Sequence, residues 1–166
     1  MCDHDHSSAS SNPSVHQTFD ELEFDRSLGN AALCGEVDKV VEHLRKGTNV
    51  NSLDAGGYAP IHYAARQGHI NIARLLLSHG GDVNIQTRSG RATALLRAAF
   101  SGKKEMCQFL IEKGADVKAV DDDGQTVLHR AVKSGHLPLV NYILEIAPEL
   151  KTQADKRGLV PMIGDL

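Results

Sequence analysis

The 166-residue sequence contains no tryptophan and only seven other aromatic residues, four Phe and three Tyr. A large core organised around aromatic anchors is thereby excluded, and whatever core forms must be aliphatic. No apolar run approaches the ~20 residues of a membrane helix. Residues 1–20 show neither an apolar stretch nor a basic start, so no secretory leader is expected. Cysteine is scarce and scattered, at Cys2, Cys34 and Cys107. Closely spaced zinc ligand pairs are therefore missing. An odd number of cysteines without an export signal points to reduced thiols and a cytoplasmic or nuclear location. Basic residues are absent before Arg26, where Asp3, Asp5, Asp20, Glu21, Glu23 and Asp25 stand alone. The 18 Lys and Arg residues all come later, against the remaining 15 acids, so a mildly basic body follows an acidic start and the net charge is −3. Charge of that size gives no indication of a bulk nucleic-acid or membrane binder.

Glycine, in contrast, is plentiful and periodic. Gly35, Gly68, Gly102 and Gly135 are separated by 33, 34 and 33 residues, and Gly47, Gly80 and Gly114 by 33 and 34. Ala31-Ala32, Ala64-Ala65, Ala98-Ala99 and Ala131-Val132 keep the same register, as do Asn51, Asn84 and, in the third place, Lys118. Several independent landmarks on one period define an internal repeat. In the second unit Pro60 opens a helix, whose first residue needs no intrahelical N–H bond. Ile61, Ala64 and Ala65 form its apolar stripe, and Gly68 ends it in the left-handed geometry that glycine adopts cheaply. Ile70, Ala73, Leu76 and Leu77 make a second stripe, closed by Gly80. Asp54-Ala55-Gly56-Gly57 and Asp82-Val83-Asn84 are turn chemistry. Helices this short are not stable in isolation and need stacked copies of themselves.

Asp54–His69 reads D-A-G-G-Y-A-P-I-H-Y-A-A-R-Q-G-H and Asp121–His136 reads D-D-D-G-Q-T-V-L-H-R-A-V-K-S-G-H. Both resemble the hallmark of the ankyrin repeat, Asp-x-x-Gly-x-Thr-Pro-Leu-His-x-Ala-Ala-x-x-Gly-His. Thr87–Lys103 fits less well, with Thr93-Ala94-Leu95-Leu96 for the tetrapeptide and one residue inserted between Gly90 and Thr93. The resemblance implies an all-α solenoid of helix–turn–helix–hairpin units. A tail over 1–18 would precede a repeat domain over 19–166, divided into a cap unit 21–53, units 54–86, 87–120 and 121–154, and a partial unit 155–166. Phe19, Leu22 and Phe24 would form a helical edge over the first unit. The partial unit would leave Leu139, Ile143 and Leu144 with an uncertain cover, and the C-terminal end is expected to fray first.

The resemblance gives Pro60, His62, Gly68, Thr126, His129 and Gly135 structural roles, with both imidazoles bracing turns. His69 and His136 read the same way, at the start of second helices. It further implies a groove lined by hairpin tips and by the exposed face of each first helix. Carried onto this chain, those slots hold Tyr58, Tyr63, Arg66, Gln67, Arg88, Arg91, Arg97, Phe100, Arg130 and Lys133. No acid occupies a first-helix slot, and arginine with aromatics is the usual anchor chemistry of an interface. The expected function is a non-enzymatic adaptor, monomeric and without cofactor, that binds an acidic protein segment. A merely solvated basic face is the plain alternative, and nucleic acid on the same groove is another. Leu76–Asn84, L-L-S-H-G-G-D-V-N, resembles substrates of the asparaginyl hydroxylase that acts on this fold, with Asn84 as candidate and Asn51 as a weaker one; an ordinary turn asparagine is the alternative.

Three further features stand outside the repeat. Removal of Met1 would expose Cys2-Asp3-His4, whose amine, backbone nitrogens and imidazole suit Cu(II) or Ni(II) in a square plane; a plain polar tail is the alternative. Asp121-Asp122-Asp123 reads as a solvated turn rather than a cation site. Cys34 and Cys107 have no histidine placed beside them as a base, so packing rather than catalysis is expected of them.

Overall fold

The alternation of short helix, glycine and short helix is what a computed structural model of the protein shows over the residues it describes, 23–24 and 26–164. Helices α1 (Leu28–Cys34) and α2 (Val37–Arg45) form a first pair, and α3 (Pro60–Gln67) and α4 (Ile70–Ser78) a second. α5 (Ala94–Phe100) and α6 (Lys104–Glu112) form a third, and α7 (Val127–Ser134) and α8 (Leu137–Ile146) a fourth, before a 3-10 turn over Pro148–Thr152. The described residues contain no strand, as the all-α reading expects.

Each first helix starts from an extended residue. Ser27, Thr93 and Thr126 turn their hydroxyls back to accept the N–H groups of Asn30, Leu96 and His129. Such caps contribute about 0.5–2 kcal/mol each. Ala59 has no hydroxyl, and its own N–H donates instead to His62 Nδ1 at 2.9 Å. Gly35, Gly68 and Gly135 end α1, α3 and α7 with positive φ. At Gly35 the need is double, because a side chain there would meet the His69 ring at 3.0 Å.

Ala32, Ala64, Ala65, Ala98, Ala99 and Ala131 are fully buried on the first helices. With side chains this small, α1, α3, α5 and α7 stack closely in one layer. The second helices carry the larger residues, Ile72, Leu76, Met106, Leu110, Leu139 and Ile143, all fully buried. Each such Leu or Ile contributes about 1.5–3 kcal/mol by leaving water. The core is therefore a series of thin aliphatic interfaces, which needs no tryptophan.

Side chains of one unit close backbone groups of its neighbour. His62 Nε2 donates to Ile85 O at 2.9 Å, and His129 Nε2 to Leu159 O at 3.0 Å. On the outer joint, Asn51 spans Gly80 O (3.0 Å) and Asp82 N (2.8 Å), and Asn84 spans Gly114 O (3.2 Å) and Asp116 N (2.8 Å). Lys118, third in that column, instead pairs with Glu149 at 3.3 Å.

One expectation changes. Leu139 and Ile143 are fully buried, because the 3-10 turn folds back on α8 and buries Leu150 against it. The fifth hairpin also forms, with Asp155 Oδ1 accepting the N–H groups of Arg157 and Leu159. What remains exposed at this end is Ile146, Leu159, Val160 and Met162. The irregularity of the third unit is a local one. Its hairpin closes from Thr87 N to Ala92 O, one residue longer than Asp54 N to Tyr58 O. The extra residue is absorbed by Arg91, whose φ of 48° is the one positive value at a non-glycine among the described residues.

Burial holds the His62 imidazole below its ordinary value of 6.5, the Ile85 bond opposing that shift and Arg97 adding to it. Folding thus favours the neutral ring. The stability this contributes is complete above the unfolded value of 6.5 and is lost as pH falls through it toward the lowered folded value. In urea unfolding, His62→Leu, which copies the third unit, is expected to cost about 1–3 kcal/mol at neutral pH. The variant should also lose part of the wild-type decline in stability between about pH 7.5 and 5.5.

Candidate functional site

Three hairpins, closed at Asp54–Tyr58, Thr87–Ala92 and Asp121–Gln125, and the four first helices present one face, and its side chains fall into two rows a helical turn apart. Asn30, Tyr63, Arg97 and Arg130 occupy one row; Leu33, Arg66, Phe100 and Lys133 occupy the other. Of the residues expected here, Arg66, Gln67, Arg88, Arg91, Phe100 and Lys133 are exposed, and Tyr58, Tyr63, Arg97 and Arg130 are half-buried.

Hairpins fix the inner row. In the second unit Asp54 divides its carboxylate: Oδ1 accepts Tyr58 N at 3.0 Å, and Oδ2 accepts the Tyr63 hydroxyl at 2.5 Å. Burial first, and this bond second, push the Tyr63 phenol above its ordinary range, so it stays a donor. In the fourth unit Asp121 does the same work. Its Oδ1 accepts Asp123 N and Gln125 N, and its Oδ2 takes Arg130 Nε at 3.0 Å together with Arg130 Nη2. The side chain of Asp121 is only 2% exposed, so this ion pair is shielded and charge-assisted. Arg130 is therefore largely neutralised from within, through an acid outside the helix slots that sequence reasoning surveyed.

The third unit breaks the scheme. Thr87 stands in the Asp slot, and its single oxygen is engaged within the hairpin, donating to Ser89 O at 2.7 Å and accepting Ala92 N at 3.0 Å. No second oxygen is left for the helix. Arg97 lies instead with its guanidinium carbon 5.0 Å from the centre of the Tyr58 ring. Its Nε is buried without a hydrogen-bond partner, and Arg97 joins no ion pair among the described residues.

Aromatic rings join these cations. Phe24, Tyr63 and Tyr58 follow one another at 5.5 Å between centres. Phe100, 48% exposed, lies beside two cations of the next first helix, Arg130 (5.7 Å) and Lys133 (6.0 Å). The face combines cations with ring surface, the chemistry that grips carboxylates and apolar side chains together. Arg88 and Arg91 lie on the third hairpin, where Arg91 Nε donates to Gln86 at 3.1 Å.

Other candidates fall elsewhere. Among the described residues no group of three or more His, Cys, Asp or Glu is placed to hold a metal ion, and the Asp121-Asp122-Asp123 run is a hairpin turn. Cys2 and His4, Phe19 and Leu22 lie outside the described residues. Cys107 is fully buried on α6, and burial pushes its thiol up to about 12. Cys34 Sγ contacts Asn30 Oδ1 at 3.5 Å. Asn84 uses its whole amide to clamp the next unit, a structural task. No described helix is long and apolar enough to cross a membrane.

A sequence profile for ankyrin repeats in three copies matches residues 28–121 and 80–154. The chain belongs to the ankyrin-repeat family. Among ankyrin proteins it is 31% identical over 129 residues to the ankyrin repeat and KH domain-containing protein mask-1 of Caenorhabditis elegans, covering 78% of this chain and 5% of that protein. An ankyrin repeat-containing protein of Schizosaccharomyces pombe is 32% identical over 115 residues, 68% of this chain and 54% of its own length. The human ankyrin repeat domain-containing protein 39 is 36% identical over 73 residues, 44% of this chain and 40% of its own. In each case the chain spans less than two thirds of the relative. Ankyrin repeats are protein-interaction modules, and four of these repeat pairs are what the geometry presents.

The Asp121–Arg130 pair gives a direct check on this architecture. Asp121→Asn keeps an oxygen for the hairpin and removes the charge facing Arg130. It is expected to lower stability by about 1.5–3 kcal/mol in chemical denaturation, whereas Asp122→Asn, on an exposed turn residue, should change it by less than about 0.5 kcal/mol.

Proposed function

We propose that the protein is a non-enzymatic binding module whose first-helix face holds an acidic, extended segment of a partner protein. The observation that carries this reading is the second row, where Arg66, Phe100 and Lys133 are exposed side by side and Phe100 lies beside two cations. A ring that stays open to water beside cations favours an incoming chain that brings carboxylates and apolar groups together. The inner row supports it from behind: Tyr63 and Arg130 are locked by Asp54 and Asp121, so the surface is ordered before binding and little conformational entropy is lost when a segment docks. Arg88 and Arg91 on the third hairpin extend the positive field and speed encounter with an acidic partner.

The test is affinity capture with mass spectrometry, using a variant that changes exposed residues only. Arg66→Glu combined with Phe100→Ala and Lys133→Glu should lose the partners held by the wild type by more than about tenfold. Asn71→Glu, exposed on the second-helix layer, should keep them. A triple variant that folds with the wild-type helix content and retains every partner would overturn the reading.

A further inference from the structure

The Asp slot of each hairpin divides its two carboxylate oxygens between two jobs. In the second and fourth units one oxygen closes the hairpin and the other holds the groove residue nine positions on, Tyr63 or Arg130. Thr87 keeps the first job and drops the second, because its one oxygen is neutral and tied to the hairpin by Ser89 O and Ala92 N, and it has no second oxygen to reach the helix. The residue deprived by this substitution is a cation. Arg97 Nε is buried with no partner, and the guanidinium is held over the face of Tyr58 from the preceding hairpin. Asp54, the carboxylate of that preceding hairpin, is already engaged by Tyr58 N and by the Tyr63 hydroxyl. A guanidinium whose Nε its own chain buries unpaired, beside a twin that its own chain holds with a carboxylate, has no internal counter-ion and leaves its outer nitrogens for an external anion.

We infer that Arg97 is the anchor of the groove and that it takes a carboxylate, an Asp or Glu side chain of the bound segment, in the role that Asp121 plays for Arg130. This rests on the groove reading above and adds to it a position, a stoichiometry of one acid, and a chemical class. The choice of a carboxylate follows from the internal precedent, since a single Asp121 oxygen satisfies both Nε and Nη2 of Arg130. Tyr58 fixes the guanidinium from one side, which pre-organises the fork for a planar acid. The neighbouring residue of the segment is apolar, because Phe100 lies exposed one turn along the same helix, beside the side chains of Arg130 and Lys133. Arg88, exposed next to Thr87 on the hairpin, adds attraction without a fixed geometry.

Thr87→Asp tests this by supplying the missing oxygen from inside, in a slot where Asp is native to the second, fourth and fifth hairpins. The probe is the blocked peptide acetyl-Leu-Glu-Leu-amide, titrated while the Arg97 Nε–H resonance is followed by NMR, with acetyl-Leu-Gln-Leu-amide as the uncharged control. In the wild type the Glu peptide should shift that resonance and the Gln peptide should bind at least about tenfold more weakly. Thr87→Asp should raise the melting midpoint of the free protein by about 2–4 °C and abolish the response, while Thr87→Asn does neither. Arg97→Lys, which keeps the charge and loses the fork, should weaken the Glu peptide by about tenfold, and Arg66→Lys should not. The inference is overturned if the Arg97 resonance stays still, if Thr87→Asp binds the Glu peptide as the wild type does, or if a phosphoserine peptide binds more tightly at the same resonance. Shifts at Phe100 and Lys133 without one at Arg97 would reject the anchor and leave the groove reading standing, whereas a groove variant that keeps its cellular partners rejects that reading itself.

Discussion

Every unit of this protein depends on polar backbone groups that it cannot close by itself. A helix of seven to ten residues leaves most of its terminal N–H and C=O groups outside the internal ladder. Here many are closed locally by caps, and the hairpins between units are closed across the stack. His62 reaches Ile85, His129 reaches Leu159, and His69 Nε2 donates to Leu33 O at 3.2 Å. Tip carbonyls continue the pattern, with Arg88 N bonded to Gly57 O and Asp122 N to Gly90 O. Aliphatic burial supplies the driving force, but these bonds set the register, because a slip of one residue would leave each imidazole facing the wrong group.

The first-helix face inherits its order from the same arrangement. A hairpin acid that closes its own turn has an oxygen to spare, and that oxygen immobilises a side chain on the helix behind it. Closure of the turn and placement of the helix side chain are thereby set by the same residue. Where the acid is replaced, as at Thr87, the turn survives and the helix residue is released. The third hairpin, with its Thr and its extra residue, thus keeps the structural task and gives up the positioning task.

Much of this was legible in the sequence. The glycine and alanine periods place α1 to α8, and Gly35, Gly68 and Gly135 mark helix ends because only their geometry fits there. The exposed row could also be read, since Arg66, Phe100 and Lys133 recur at one register position. Pairing was harder to see. Asp54 and Asp121 stand nine residues before the side chains they hold, a spacing with no meaning on a helix or a strand, and it becomes contact only when the hairpin folds back. Thr87 in an Asp register position was the available signal. The cover of Leu139 and Ile143 was missed for a similar reason: Pro148–Thr152 folds as a 3-10 turn outside the repeat pattern, and Leu150 belongs to no periodic stripe.

The column that begins with Asn51 and Asn84 ends in Lys118, and this makes the outer joints of the solenoid unequal. The two asparagines each bind two backbone groups of the next unit by neutral hydrogen bonds, which salt does not screen. The third joint relies on Lys118 and Glu149, whose side chains are 71% and 52% exposed. Such a pair is worth little and weakens as ionic strength rises. The stack is thus jointed rather than uniform. Its easiest seam for local opening lies between α6 and α8, and salt loosens that seam while leaving the two before it unchanged.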